Sequence, residues 1–162
     1  MALQYRRVVT GDDSGAPFFA GDAVLTWDKA IPRITEAVVW KWDTRPTVPN
    51  DGTRPAAYGS LIFPPPGGVH VRFVRQVPPT AAELAEHEPN AVDELMEEGG
   101  VHISETVDFV VIMQGSVEVG LPGVGTRSLS PGNVVMNGTK HSWTVGPEGC
   151  TLLAVVVGAS SA

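Results

Sequence analysis

Two imidazoles and a carboxylate give this chain its clearest chemistry. His102 and Asp108 lie in Val101-His102-Ile103-Ser104-Glu105-Thr106-Val107-Asp108, and His141 closes Gly138-Thr139-Lys140-His141. In an extended strand residues two apart share a face, so a regular segment points His102, Ser104, Thr106 and Asp108 the same way. His141 follows the Asn137-Gly138 turn on a neighbouring strand. Two neutral imidazoles and one carboxylate can hold a divalent ion and leave coordination positions open, an arrangement suited to Fe and open also to Mn, Ni or Zn. Asp108 has two readings: a short third arm on the ion, or a hydrogen-bonded carboxylate fixing His102 from behind. Ser104 offers only a neutral hydroxyl, a weaker donor than imidazole.

Around this set lie candidate pocket residues. Trp143 follows His141 by two positions and shares its face, as a pocket wall or as core packing. His70 alternates with Arg72 in Val69-His70-Val71-Arg72-Phe73-Val74-Arg75, with Val69, Val71 and Phe73 on the opposite face. His70 and His87 read first as hydrogen-bonded structural residues, although His70 can line a pocket. Arg72 and Arg75 are the cations available to hold a carboxylate, with surface ion pairing as the alternative. Phe109 is counted with the pocket. By alternation Glu105 points away from His102.

The elements that must position these residues are strands. With 162 residues, 43% apolar, the chain supports one well-buried domain. Eighteen Gly and fourteen Pro separating apolar runs of strand length indicate an all-β fold. Within a single domain over 1–162, residues 1–79 supply N-terminal strands, 80–98 a short acidic helical insert, and 101–157 the core barrel. The insert starts at Thr80, which forms a Thr-x-x-Glu capping box with Glu83, breaks before Pro89, restarts at Asn90 and ends at Gly99-Gly100. In the core, Val107 to Met113 and Val117 to Val119 are expected to form a hairpin across Gln114-Gly115-Ser116. Asp43 to Arg54 reads as a surface loop.

Composition excludes some partners. The net charge of −7 and scattered bases argue against a grip on nucleic acid or anionic membrane. Neither a signal-peptide pattern nor a run of about 20 apolar residues is found, so a soluble cytoplasmic protein is expected. Cys150 has no second cysteine to pair with and is expected to pack in the core.

Residues 101–157 resemble a cupin domain, a small jelly-roll barrel whose two motifs supply one metal site. The usual first motif runs His-x-His, three or four residues, Glu, six residues, Gly. Here His102, Ser104, Asp108 and Gly115 stand at those spacings. In the second motif Gly138 and His141 match, while Met136 replaces a proline and Asn133 an aspartate. The whole chain is similar to a subgroup of single-domain cupins with His-x-Thr-x-Thr-x-Asp in the first motif, an Arg-Arg-Val-Val-Thr-Gly start (Arg6 to Gly11) and a Pro-Pro-Gly-Gly strand (Pro65 to Gly68). The resemblance implies a homodimer and a metal-dependent enzyme. Its substrate would be a small organic acid or an aromatic or polyketide-like molecule, and its chemistry of lyase, isomerase or oxygenase type. The alternative is a non-catalytic barrel that binds a small apolar ligand.

Overall fold

The computed structural model describes residues 4–31, 33–53, 63–81, 97 and 100–160. These carry nine strands: β1 Arg6–Asp13, β2 Ala16–Val24, β3 Asp28–Ile31, β4 Ile34–Trp42, β5 Val69–Gln76, β6 Thr106–Leu121, β7 Gly125–Leu129, β8 Gly132–Asn137 and β9 Ser142–Gly158. Every strand pairing is antiparallel. β1 and β2 form a hairpin of their own. The other seven make one sheet in the order β3-β4-β5-β9-β6-β7, with β8 also paired to β6. This is the all-β antiparallel architecture expected of a jelly roll. The helical insert is not among the elements of the described residues, and 82–96 and 98–99, with His87, lie outside them.

Register explains how the interior is divided. Directly paired residues share a face, so three rows cross β5, β9 and β6: Val74, Leu152 and Ile112; Arg72, Ala154 and Val110; His70, Val156 and Asp108. The first row is wholly apolar, and Ile112 is only 1% exposed. It joins Val117, Cys150 and the neighbouring valines in one buried cluster. Cys150 thus takes the packing role expected of it, and burial pushes its thiol pKa up. The third row brings His70 and Asp108 to the same inner face. The interior therefore passes from hydrocarbon at one end to titratable groups at the other.

Two expectations about strands need correction. Gln114-Gly115-Ser116 is not a hairpin turn, because β6 runs through it as one strand paired to β9 along its length. Gly115, at φ 74°, sits instead at an irregularity in that ladder, where a bulge lets the strand bend without reversing. The first half of β6 can then pair with β8 while the second pairs with β7. The second concerns the apolar run Ala23-Val24-Leu25-Thr26-Trp27, expected as a strand: β2 ends at Val24 and begins back at Ala16, in residues whose exposure lacks the apolar alternation that marks a half-buried strand.

The outer face of β5 is packed by the N-terminal segment. Tyr5 stacks on Phe73 with ring centroids 3.7 Å apart. Arg7 lies over the Trp40 ring and hydrogen-bonds the Val39 carbonyl. Arg75 sits over Trp27 at 5.0 Å, so it faces outward and does not share the inner face of Arg72. Phe109 also lies on the outer face, 48% exposed, rather than beside Asp108 in the pocket. Strand alternation decides this: Asp108 and Val110 point inward, and the residue between them cannot.

Candidate functional site

His102 and His141 meet through their backbones first. Each donates its N–H to the carbonyl of the other, at 2.8 and 2.9 Å, forming an isolated antiparallel bridge just beyond β6 and β9. The approach depends on the turn at Gly138, which adopts φ 61° and donates to the Thr106 carbonyl at 3.0 Å. A left-handed conformation of that kind suits glycine, which has no Cβ to clash. The paired residues hold their imidazoles on one side, ring centroids 4.4 Å apart.

The tautomers follow from the partners. His102 Nδ1 lies 3.1 Å from the Gly100 carbonyl, and His141 Nδ1 lies 2.6 Å from that of Thr139. A carbonyl only accepts, so in both neutral rings Nδ1 carries the proton and Nε2 keeps its lone pair. This is how a ligating histidine is usually oriented, one nitrogen tied back and the other free to bind. Two imidazole donors of this structure therefore fit a divalent ion. The carboxylate does not complete the set: among the described residues no three His, Cys, Asp or Glu side chains come together in a group able to hold a metal. Asp108 still matters electrically, since its charge raises the His141 pKa against burial. Its Oδ1 is buried without a hydrogen-bond partner among the described residues.

Other expected residues fall into place around the pair. Trp143 shares the face of His141 and meets it edge-on, centroids 5.9 Å apart, while packing against the apolar cluster. It thus separates the imidazoles from the hydrocarbon end. The segment from His102 to Asp108 is not regular strand, because β6 starts only at Thr106. Ser104 nevertheless hydrogen-bonds Thr106 Oγ1 at 2.7 Å. Its hydroxyl is engaged in closing that bend.

A second polar group lies on β4 and β5. His70 is fully buried, and its Nε2 sits 2.6 Å from Asp43 Oδ1. Arg72 donates to Glu36 at 3.1 Å. Lys41 is directly paired with His70 and only 7% exposed. Spacing alone does not reveal it, because Glu36-Ala37-Val38-Val39-Trp40-Lys41-Trp42 contains a register shift between Val38 and Trp40. The signal was the lysine itself, placed in a run of hydrophobic residues.

Burial holds the pKa of both His70 and His141 below the ordinary imidazole value. The hydrogen bond to Asp43 opposes this at His70, and that to the Thr139 carbonyl opposes it at His141. A histidine with a depressed folded pKa binds fewer protons than its unfolded form, so its stability contribution is complete above about pH 6.5 and is lost as pH falls. The urea midpoint should therefore drop between pH 7 and pH 5. NMR titration of chelator-treated protein should place both rings below pH 6.5. A His70 ring that titrates at or above that value contradicts the assignment.

No family model matches the chain, and no curated protein does. Solved structures do. KdgF from a Halomonas species is 18% identical, with 81% of this chain and 86% of that one covered, TM-score 0.45. The polyketide cyclase RemF from Streptomyces resistomycificus is 15% identical over 82% and 72%, TM-score 0.46. An RmlC-like cupin from Shewanella frigidimarina is 10% identical over 85% and 86%, TM-score 0.45. Among its structural neighbours are cupins. Among the described residues no helix is long and apolar enough to cross a membrane.

Proposed function

We propose that this cupin-like chain is a metal-dependent enzyme of small-molecule metabolism, with His102 and His141 as the core of its metal site. The observation that carries the reading is the imidazole pair, 4.4 Å between centroids, with both Nδ1 atoms tied to carbonyls. A divalent ion held by their Nε2 atoms, whether Fe, Mn, Ni or Zn, supplies a Lewis acid for a carbonyl or carboxylate oxygen or a centre for oxidation. The chain's own part is to hold the two rings in one tautomer, to exclude water with Trp143 and to keep Asp108 near His141. A small organic acid or an aromatic or polyketide-like molecule is the proposed substrate, in a cytoplasmic protein. Metal content of protein purified without chelator tests the centre of this reading. Oxygen uptake by iron-loaded protein over a panel of aromatic acids then divides oxygenase from lyase or isomerase. The failure of Asp108 to join the histidines in a group of three donors favours a second reading, a barrel that binds an apolar ligand without chemistry.

The reading includes a homodimer. Phe109, Val111 and Val135 are 48, 42 and 46% exposed on neighbouring strands, and Phe109 and Val135 are direct register partners. Among the described residues β2 pairs only with β1 and leaves Phe18 and Phe19 44 and 79% exposed. One chain thus carries both an uncovered apolar sheet face and an apolar hairpin, which a two-fold contact can cover reciprocally. Light scattering at micromolar concentration should give the mass of two chains, and Phe109→Glu should reduce it to one. A monomeric wild type overturns the proposal.

A further inference from the structure

The two segments that orient His102 and His141 meet a second time, outside the imidazoles. On the first segment the Gly100 carbonyl accepts from His102 Nδ1 at 3.1 Å, and the peptides on either side of that carbonyl are both fixed by the Glu97 backbone. The Gly100 N–H donates to the Glu97 carbonyl at 3.1 Å, and the Glu97 N–H donates to the Val101 carbonyl at 2.7 Å. Gly100 itself stands at φ 75°, a left-handed conformation that suits a residue without a Cβ. On the second segment the Thr139 carbonyl, which accepts from His141 Nδ1, belongs to the same planar peptide unit as the Lys140 nitrogen. The Lys140 ammonium and the Glu97 carboxylate form an ion pair, Nζ to Oε1, at 2.5 Å.

This pair joins the residue that fixes one orienting carbonyl to the residue whose peptide carries the other. The same segments are cross-linked by the backbone bridge between His102 and His141, which stands alone outside the named strands. Two segments held at one bridge can twist about it, and each twist changes where the rings aim. A second contact beyond Gly100 removes that freedom. We infer that Glu97 and Lys140 are positioning residues of the metal site, an ionic clamp that keeps the Gly100 and Thr139 carbonyls in place and so holds both Nε2 atoms toward one ion. The inference rests on the proposed function in taking His102 and His141 as the metal ligands, and adds what sets their approach. The two side chains are 45 and 64% exposed, so water screens the clamp, and its loss should cost about two- to fivefold in metal affinity.

Zinc titration of chelator-treated wild type, Glu97→Gln, Lys140→Gln and the double variant tests it. Each single change should weaken zinc binding about two- to fivefold, and the double variant should bind no more weakly than either, because one contact cannot be broken twice. Asp22→Asn is the control. It opens the exposed ion pair of Arg6 with Asp22, on two strands that carry no ligand, and should leave zinc affinity unchanged. Imidazole ¹⁵N shifts of the metal-free proteins with both rings neutral give a readout that a loss of overall stability does not move. Wild type should show both rings protonated at Nδ1. In either single variant the two ring shifts of His102, which is half-buried and has the longer of the two bonds, should draw together as its tautomers mix, with His141 less affected. Additive losses in the double variant, or an unchanged His102 tautomer in both single variants, overturn the inference. The metal reading fails separately: a wild type that takes up no zinc removes that reading, and the tautomer shift alone then decides whether the clamp orients the rings. Zinc affinity and tautomer both unchanged in the single variants, while wild type binds zinc, remove the clamp alone.

Discussion

Protein purified without chelator should carry a divalent metal approaching one ion per chain, and His102→Ala and His141→Ala should each abolish it. The two rings supply both nitrogen donors, so either substitution halves the imidazole set. Loss of a partner that merely orients a metal ligand costs about 10- to 100-fold in affinity, and loss of the ligand itself should exceed 100-fold. The variants should differ in stability. His141 is 2% exposed, whereas His102 is only half-buried, so the alanine at 141 leaves a cavity and a Thr139 carbonyl without its donor. His141→Ala should therefore unfold at clearly lower urea than His102→Ala. Asp108→Asn separates the two roles open to that residue. Since Asp108 is not grouped with the histidines as a third donor, the amide should lower metal affinity by about tenfold rather than abolish binding. Elemental analysis of the four proteins at equal concentration is the measurement. If wild type holds no more metal than the histidine variants, the ligand-binding barrel is the surviving reading.

The residues of this site differ in how readable they were, and the reason is physical in each case. His102 and His141 were legible, although they are far apart in sequence, because the spacing around each fits both strand geometry and the two cupin motifs. Strand parity correctly separated His70, Arg72 and Val74 from Val69, Val71 and Phe73, because β5 has no irregularity. Parity, applied strictly, also turns Phe109 outward. Lys41 was not legible, since the register shift in β4 moves it to the face of His70. Its role depends on a pairing with a residue 29 positions away in sequence. Asp43 was read as part of a surface loop, and nothing in its neighbours announces that it reaches the buried imidazole of His70. The antiparallel class was written in the glycines, prolines and apolar runs. Which glycines turn the chain and which only bend it was not, because both kinds demand the same left-handed backbone.

Gly115 and Gly123 make that last distinction measurable. They have nearly the same conformation, φ 74° and 73°. A Cβ at Gly123 meets nothing within 4 Å, whereas one at Gly115 overlaps the Gly149 carbonyl oxygen, and the obstacle is backbone on a paired strand. Gly123→Ala should cost only the conformational penalty of a left-handed alanine, about 1–2 kcal/mol. Gly115→Ala adds an overlap that cannot be relieved by rotating a side chain, so β9 must separate from β6 around Cys150 or the bulge must be lost. Straightening the bulge would shift the register of half of β6, and a one-residue slip turns every following side chain to the opposite face. Val117 and Val119, now buried, would then exchange places with the exposed Glu118. The expected loss for Gly115→Ala is more than about 3 kcal/mol, in the range of the most damaging single substitutions. For a chain of this size that is a fall in melting temperature of roughly 6–12 °C or more. Urea unfolding of the two variants beside wild type gives the comparison. Equal losses would mean that Gly115 serves only its backbone angle, and that the crossing of β6 by β9 at Gly149 tolerates a methyl group.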